Sequence, residues 1–407
     1  MARIPLENAY WFQEGPGVRK WQFRENGIKL INVGNISPDG HLDLDKTDRY
    51  LEREECETKY KHFLIEEGDL VIASSGITIQ EDGYLKTKSA FVREKDLPLC
   101  LNTSTIRFKP RKNISDLNYL RHWLNSNDFR FQITKQVTGI AQKNFGPSHL
   151  KKITIDLPPL AEQKRIAAIL DKAESIRQKR QQSIQLLNDY LRSVFLEMFG
   201  DPVENPKGWP VGKLEDFCEG KYGIKAGPFG SSLKKEVYTT SGFRVYGQEQ
   251  VIAGDFSKVT YYISNEKFNE MKAYEVKPSD ILVSLVGTFG KTVVAPKDVA
   301  PGIINPRLLK ITVQKNKLNS QFLSFMLSMR SIQSKLIEVS HGGTMGILNA
   351  TLFKSLKIYS PTISLQNKFV DIYKAANDQI CSRIIETESE LSVLSNSLVE
   401  KYLYGDV

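Results

Sequence analysis

Apolar residues recur at steps of three and four along a first long stretch, residues 159–199. This stretch has no proline after Pro159 and no glycine, and Pro159 suits a first helical turn because its missing N–H is not needed there. With one gap at Arg180, the apolar positions are Ile166, Leu170, Ala173, Ile176, Ile184, Leu187, Leu191, Val194 and Met198. So narrow a stripe, close to a heptad seam, predicts one continuous helix that needs a partner.

A second stretch, residues 364–404, repeats this pattern after Pro361. Its seam consists of Tyr373, Ala376, Ile380, Ile384, Thr387, Leu391, Leu394, Leu398 and Tyr402, and Gly405 ends it. A helix of about 40 residues is about 60 Å long, at about 1.5 Å per residue. Two such helices in one chain most simply pack on each other as a coiled coil. The alternative is that both are ordinary core helices of larger domains.

The chain also repeats itself outside the helices. An offset of 203 maps Gly139 to Gly342, Leu150 to Phe353, Lys151 to Lys354, Pro158 to Pro361 and Gln163 to Gln366. Weaker matches lie upstream: residues 68–71 resemble 279–282, and residues 27–30 resemble 242–245. A period this long indicates a duplicated domain with its spacer. The predicted parts are a globular unit at 1–157, a central helix at 158–200, a second unit at 201–360 and a distal helix at 361–407.

Both globular units mix short strands with helices, which predicts the α+β class. Strands are predicted where β-branched and apolar residues cluster: Lys29–Val33, Asp69–Ala73, Ile153–Leu157, Ile281–Val286, Leu308–Val313 and Leu356–Ile358. Helices are predicted at 116–136 and near 319–338. The pattern does not determine the strand order.

Composition adds a probable class of partner. A chain of 407 residues exceeds a single core, so two or more domains are expected. The net charge is +9, yet residues 361–407 carry 4 Lys or Arg and 7 Asp or Glu, so the positive excess lies in 1–360. This favours an acidic partner such as nucleic acid, the alternative being a mildly basic protein without one.

The cysteines and the apolar runs restrict the cellular setting. Cys56, Cys100, Cys218 and Cys381 form no C-x-x-C pair, which argues against a zinc site or a disulfide framework and fits the reducing cytoplasm. The first fifteen residues lack a signal-peptide pattern, and no run is long enough for a membrane helix. We therefore expect a cytoplasmic protein with no membrane contact.

Polar and basic loops of both units provide the candidate DNA contacts. Lys and Arg neutralise phosphates, while Asn, Gln and Arg can bind base edges. The predicted DNA-binding residues are Arg19, Lys20, Asn32, Asn35, Lys143, Asn144, Lys225, Ser231, Ser232, Lys234, Lys235, Arg244, Tyr246, Gln248 and Lys291. Each run alone could be ordinary solvated surface, but recurrence in two basic units favours DNA binding.

Catalytic motifs do not emerge from the sequence. Residues 287–292 suggest a phosphate-binding loop, but the required first glycine is replaced by Leu285. There is no H-E-x-x-H, and five scattered histidines indicate no metal cluster. A binding role without catalysis is therefore favoured, with a protein-binding scaffold and a nuclease with an unrecognised site as the alternatives.

Residues 157–171, LPPLAEQKRIAAILD, closely resemble the spacer-helix entry of the specificity (S) subunits of type I restriction-modification systems. Residues 195–202 are similar to that family's transition into the second recognition domain, and residues 205–210 and 228–234 to its opening. The resemblance covers essentially the whole chain. It differs in two places: unit 1 lacks the Pro-Phe-Gly-Ser-Ser run, and the second helix entry lacks the Glu-Gln pair of Glu162 and Gln163.

The resemblance implies a non-catalytic subunit with two target-recognition domains, 1–157 and 201–360, held apart by two antiparallel helices. Each domain would read one half of a split site in double-stranded DNA. The implied partners are two modification subunits, which bind S-adenosylmethionine and methylate adenine, and two restriction (translocase and endonuclease) subunits, which use ATP; these cofactors and Mg would be held outside this chain. The residues predicted to bind partners are Pro159, Glu162, Gln163, Pro361 and Gln366.

Overall fold

The computed structural model describes residues 3–77, 79–80, 82–137, 143–228, 232–286, 290–341 and 349–378. The described residues fall into two compact units, which divide between Arg180 and Gln181. Within these residues, no helix is long and apolar enough to cross a membrane.

Unit 1 combines short strands with a few helices and leads into the long helix α6. Its elements are β1 (Arg3–Pro5), α1 (Leu6–Ala9), β2 (Tyr10–Glu14), β3 (Ile28–Leu30), β4 (Tyr50–Leu51), α2 (Arg53–Thr58), β5 (Leu70–Ala73), β6 (Ser89–Phe91), β7 (Leu99–Cys100), β8 (Thr105–Pro110), α3 (Leu117–Trp123), α4 (Asn127–Gln136), α5 (Pro147–Leu150), β9 (Thr154–Asp156) and α6 (Leu160–Phe199).

Three sheets organise unit 1. The largest has the order β2-β8-β5-β6 and is antiparallel throughout. All four residues of β5 are buried, as expected for an apolar run in the middle of a sheet. A second sheet has the order β4-β3-β7, in which β3 and β7 are parallel. The first and last strands, β1 and β9, pair with Ile4 opposite Ile155.

Unit 2 contains a corresponding set of elements. They are β10 (Val211–Lys213), β11 (Ile224–Ala226), β12 (Tyr238–Thr239), β13 (Phe243–Tyr246), α7 (Gln248–Ala253), β14 (Tyr262–Ile263), α8 (Asn265–Glu270), β15 (Ile281–Ser284), β16 (Thr292–Val294), β17 (Gly302–Ile304), β18 (Leu308–Ile311), α9 (Ser320–Leu327), α10 (Arg330–His341), α11 (Ala350–Ser355) and β19 (Lys357–Tyr359).

The sheets of unit 2 repeat those of unit 1. The order β11-β18-β15-β16 matches β2-β8-β5-β6, and the first and last strands, β10 and β19, again pair antiparallel. The sheet β12-β14-β13-β17 adds one edge strand but keeps the parallel pair, here β13 with β17. The α+β class and the internal duplication predicted from the sequence are confirmed.

The predicted single helices at 116–136 and 319–338 are each two helices, and one serine makes the break in each unit. Ser126 ends α3 by donating from Oγ to the carbonyl of Trp123 at 2.7 Å. It also begins α4 by accepting from the backbone N–H of Phe129 at 3.4 Å. Ser328 donates in the same way to the carbonyl of Phe325 at 2.6 Å between α9 and α10. The apolar periodicity runs through these breaks, which explains the wrong prediction.

The long helices begin where the prolines predict. Helix α6 starts directly after Pro159, and residues 363–378 form the start of the distal helix. The predicted seam positions Ile380, Ile384, Thr387, Leu391, Leu394, Leu398 and Tyr402 lie outside the described residues. In unit 2, Phe195 of α6 has ring centroids 5.5 Å from Phe322 and 5.2 Å from Phe369 of the distal helix. The two helices therefore share one aromatic core in this unit.

Candidate nucleic-acid interface

Each unit has one edge where several strands end together. We call it the strand-end edge; it consists of residues 226–228, 247–248, 285–286 and 305–307 in unit 2, and of residues 14–16, 32–33, 74–76 and 102–104 in unit 1. In unit 2 the backbone N–H of Gly227 donates to the carbonyl of Leu308 at 2.8 Å, and that of Leu285 to Arg307 at 3.0 Å. These bonds bring loops that are distant in sequence onto one surface.

The backbone of unit 1 makes the same connections. Here the N–H of Gly15 donates to Thr105 at 3.4 Å and that of Ser74 to Ser104 at 3.0 Å. An asparagine turn occupies the same place in both units: Asn102 Oδ1 accepts from the N–H of Ser104 at 3.0 Å. The scaffold of the edge is thus duplicated.

A glycine is required at one position of this scaffold. A Cβ on Gly227 would lie 1.9 Å from the carbonyl oxygen of Asn305, and one on Gly15 would lie 2.4 Å from the backbone nitrogen of Asn102. Neither backbone atom can move without disrupting the turn. The two loops therefore approach each other at a distance that only glycine permits.

The side chains on the two edges differ. Unit 1 offers small hydroxyl and amide groups, with Ser75, Thr103 and Asn144 among them. Unit 2 offers the exposed guanidinium of Arg307 and the apolar side chain of Val286, which is 44% exposed. Amides and hydroxyls can pair with several base edges, whereas arginine suits guanine and apolar groups suit the thymine methyl. The same scaffold therefore presents two different chemistries.

Two of the predicted DNA-binding residues of unit 2 lie together at this edge. Gln248 Nε2 donates to Ser284 Oγ at 2.8 Å and also to the carbonyl of Val286. Lys291 is exposed, and its carbonyl accepts from the N–H of Ser284 at 2.9 Å. Both residues therefore border the end of β15.

Other predicted residues of unit 2 have contacts inside the unit. The ammonium of Lys225 lies 5.1 Å and 4.9 Å from the rings of Tyr222 and Tyr274. Arg244 Nη1 donates to the carbonyl of Phe256 at 2.8 Å. Tyr246 is fully buried and donates its hydroxyl to the carbonyl of Ala300 at 2.6 Å. In this conformation Tyr246 has no surface for DNA.

The remaining predicted residues of unit 2 precede the short strand β12. Lys234 and Lys235 are exposed and Ser232 is half-buried. Ser231 lies outside the described residues. The two lysines are therefore accessible to a phosphate.

The predicted residues of unit 1 divide in the same way. Arg19 and Lys20 are exposed at a 3₁₀ turn, Lys20–Gln22, and Lys143 and Asn144 lie at the edge, where Asn144 Oδ1 accepts from the N–H of Gly76 at 3.0 Å. All four are therefore available for contact, although Lys143 is half-buried.

Asn32 and Asn35 are buried and form a turn. Asn35 Oδ1 accepts from the N–H of Asn32 at 3.1 Å, and its Nδ2 donates to the carbonyl of Asp43 at 2.9 Å. Unit 2 has Gln250 in the same role, accepting from the N–H of Gly247 at 2.6 Å. In this conformation the two asparagines shape the edge from inside.

The predicted partner-binding glutamines lock the helix entries. Gln163 is fully buried: Oε1 accepts from the N–H of Asp116 at 2.9 Å, and Nε2 donates to the carbonyls of Ile114 at 2.9 Å and Pro158 at 2.7 Å. Gln366 makes the equivalent bonds to Asn319, Lys317 and Pro361 at 2.8, 3.1 and 2.8 Å. Each amide ties the start of a long helix to the loop before α3 or α9.

The other predicted partner-binding residues surround these entries. Pro159 is exposed and Pro361 is buried. Glu162 is half-buried and accepts from Arg165 at 2.8 and 2.7 Å. The accessible surface at the first entry therefore includes Pro159 and part of Glu162.

A buried ion pair supports the central sheet of each unit. In unit 1, Arg107 Nη1 lies 3.4 Å from Asp69; in unit 2, Lys310 Nζ lies 3.7 Å from Asp280. Burial raises the pKa of both carboxyls and lowers the pKa of Lys310. The pairs hold the sheet rather than a substrate, because all four side chains are nearly inaccessible.

Sequence reasoning missed Asn102, Ser104 and Arg307 at the edge. The signal was available, since the offset of 203 aligns residues 102–107 with 305–310, where Arg107 and Lys310 are the paired cations. Among the described residues, no group of three or more His, Cys, Asp or Glu could hold a metal ion.

Known proteins share this organisation. The model of the type I restriction modification DNA specificity domain matches residues 24–187 and again 206–389. The chain is 21% identical to the type I restriction enzyme MjaVIII specificity subunit of Methanocaldococcus jannaschii, over 79% of this chain and 75% of that protein. It is 24% identical to the putative MjaX specificity subunit of the same organism, over 87% and 81%.

A solved structure supports the fold. The S subunit of a type I restriction-modification system from M. genitalium superimposes with a TM-score of 0.58 at 16% identity, covering 100% of this chain and 96% of that one. Because two copies of the family domain account for most of the sequence, and match its two duplicated halves, the chain belongs to the type I restriction-modification DNA specificity family.

Proposed function

We propose that this specificity subunit reads a bipartite DNA target, with one half contacted by the strand-end edge of each unit. The observation that carries the proposal is the duplicated edge, on which Ser104 of unit 1 is replaced by Arg307 of unit 2. One scaffold with different functional groups suits two half-sites of different sequence. The chain contributes recognition, and catalysis belongs to its partners.

A substitution at one edge tests the division of labour. Replacing Arg307 by alanine should relax one half of the target, because a bidentate arginine contact contributes about 1–3 kcal/mol of discrimination. That corresponds to about 5- to 150-fold in relative affinity for the correct base. Arg330→Ala, at an exposed position of α10, is the matched control. Altered preference in both halves, or in neither, contradicts the proposal.

Helix α6 acts as a ruler between the half-sites. Half-sites about 34–36 Å apart face the same side of the duplex. Four residues inserted after Gln181, where Gln181, Gln182 and Ser183 are all exposed, lengthen the helix by about 6 Å. The permitted spacer should change while both half-site sequences stay the same. A change in the half-sites instead refutes the ruler.

The two helix entries support a partner arrangement. Gln163 and Gln366 give the entries the same geometry, which provides two equivalent places for a modification subunit. We infer a complex with two modification subunits, which bind S-adenosylmethionine, and two restriction subunits, which use ATP and Mg. Native mass measurement of the complex with modification subunits should give two per chain, and a 1:1 mass contradicts this.

Single-molecule methylome sequencing of the host with and without the gene tests the whole proposal. Deletion should remove methylation at one split adenine motif. If the motif persists in an active system, a protein-binding scaffold becomes the better explanation. Binding by such a scaffold would lack the steep salt dependence of a phosphate interface.

A further inference from the structure

Unit 1 has a basic concave surface away from the residues predicted to bind DNA. We call it the helix groove; its walls are α3, α6 and the loop between β5 and β6, and they enclose about 790 Å³. Six of its lining residues are basic: Lys86, Lys88, Arg121, Arg130, Arg177 and Arg180. Two lining residues, Asp39 and Glu174, are acidic, so the groove is strongly positive.

Carboxylates hold two of these cations in the walls. Arg121 pairs with Asp171, and with Glu174 at 3.5 Å, which fastens α3 to α6. Arg130 pairs with Asp82 at 2.8 Å and supports the β5–β6 loop. The walls are therefore fixed by ion pairs before any ligand arrives.

Three other cations remain available. Lys86, Lys88 and Arg177 are exposed, and within the described part of the chain no carboxylate lies within ion-pair distance of them. Small and polar groups line the space between them, including Gly40, Thr87 and Ser89. Unpaired cations around a polar, concave surface suit an extended polyanion, and the shortage of exposed apolar side chains disfavours a protein anchor.

Duplication connects the groove to the strand-end edge. The carbonyl of Lys88 accepts from the N–H of Ala73 at 2.9 Å, as the carbonyl of Lys291 accepts from Ser284 at 2.9 Å. Lys88 is thus the counterpart of Lys291, and it follows the strand whose end forms the edge. One loop therefore extends from the edge of unit 1 to the groove.

We propose that the helix groove binds the sugar-phosphate backbone of the target DNA beside the half-site read by unit 1. Lys88 contacts phosphates from the loop, and Arg177 contacts them from α6. The spacer helix is then a DNA-binding element as well as a ruler. This inference rests on the proposed function, because it requires a DNA target.

The test is a salt series on the double variant Lys88→Gln/Arg177→Gln. The full chain, purified with its modification subunits, is titrated onto a fluorescent target duplex from about 50 to 300 mM salt. Each lost phosphate contact lowers the slope of log K against log [salt] by about 0.9, so the slope should fall by about 1.8. Affinity should fall equally for target and mismatched duplexes, because phosphate contacts carry no base information.

Two controls accompany the variant. Lys95→Gln/Lys172→Gln removes two exposed cations that do not line the groove and should leave the slope unchanged. Lys88→Arg/Arg177→Lys keeps both charges and should retain the wild-type slope. A slope that falls in the charge-keeping variant would indicate structural damage and overturn the assignment.

Failure of this inference is separable from failure of the proposed function. If the double variant binds with the wild-type slope while the target is still preferred over mismatches, the groove is not a phosphate site and the proposed function stands. If native mass measurement shows that the variant has lost a modification subunit at an unchanged slope, the groove binds protein and the inference is overturned. If the wild type shows no preference for its methylated motif, the proposed function fails first.

Discussion

Replacing Gln163 by leucine tests the lock at the helix entry. Leucine fills the space but leaves the N–H of Asp116 and the carbonyls of Ile114 and Pro158 without their partner. Each buried group left unsatisfied costs about 1–3 kcal/mol. Since carbonyls tolerate a missing bond better than an N–H does, we expect a loss of about 3–5 kcal/mol in the free energy of unfolding of unit 1.

Denaturant unfolding and amide hydrogen exchange measure this loss. Exchange at Asp116 should accelerate by at least about 30-fold, which corresponds to about 2 kcal/mol, while Asn319 of unit 2 keeps its rate. Gln366→Leu should give the reverse result, because its three hydrogen bonds are the same. Gln178→Leu, at an exposed position of α6, should change stability by less than about 0.5 kcal/mol. If Gln163→Leu is as stable as this control and Asp116 exchanges at its original rate, the lock does not exist.

Three further substitutions test other contacts. Burial raises the pKa of the Asp171 carboxyl, but the hydrogen bond from His122 and neighbouring cations lower it more, to below its usual 3.8. Asp171 therefore stabilises the fold above about pH 4, and Asp171→Asn should cost about 0.5–1 kcal/mol in urea unfolding at pH 7 and progressively less towards pH 3; an equal cost at both pH values contradicts this. Lys310→Met leaves buried Asp280 without its cation and should cost about 3–5 kcal/mol. Because the pKa of Asp280 is already raised by burial, thermal unfolding should show a smaller loss at pH 5 than at pH 8, and a larger loss at pH 5 refutes the pairing. Phe195→Ala should cost about 3–5 kcal/mol in thermal unfolding, because its ring packs in the aromatic core of unit 2; a loss below about 1 kcal/mol contradicts that packing.

The sequence predicted the features that repeat or have a regular period. The offset that relates Gln163 to Gln366 reveals the duplication, and the apolar seam after Pro159 reveals α6. Both signals are local or exactly repeated along the chain, so they need no knowledge of how strands pair. Fold class and helix starts follow from them.

Accessibility at the edge could not be predicted in the same way. Asn35 and Tyr246 look like surface residues in sequence, but non-local bonds to Asp43 and Ala300 place them inside. Arg307 reaches the edge because β18 pairs with β15, a strand more than twenty residues away in the chain. The helix break at Ser126 depends on one side chain, which an average over many residues conceals.

The pairing of first and last strands determines how such a protein can change. Because β1 lies beside β9 and β10 beside β19, each unit enters and leaves at neighbouring points. A whole unit is in effect an insert whose two ends are already joined. Gene recombination near the codons of Pro158 and Pro361 can exchange such an insert for another while the glutamine lock of each helix entry stays intact.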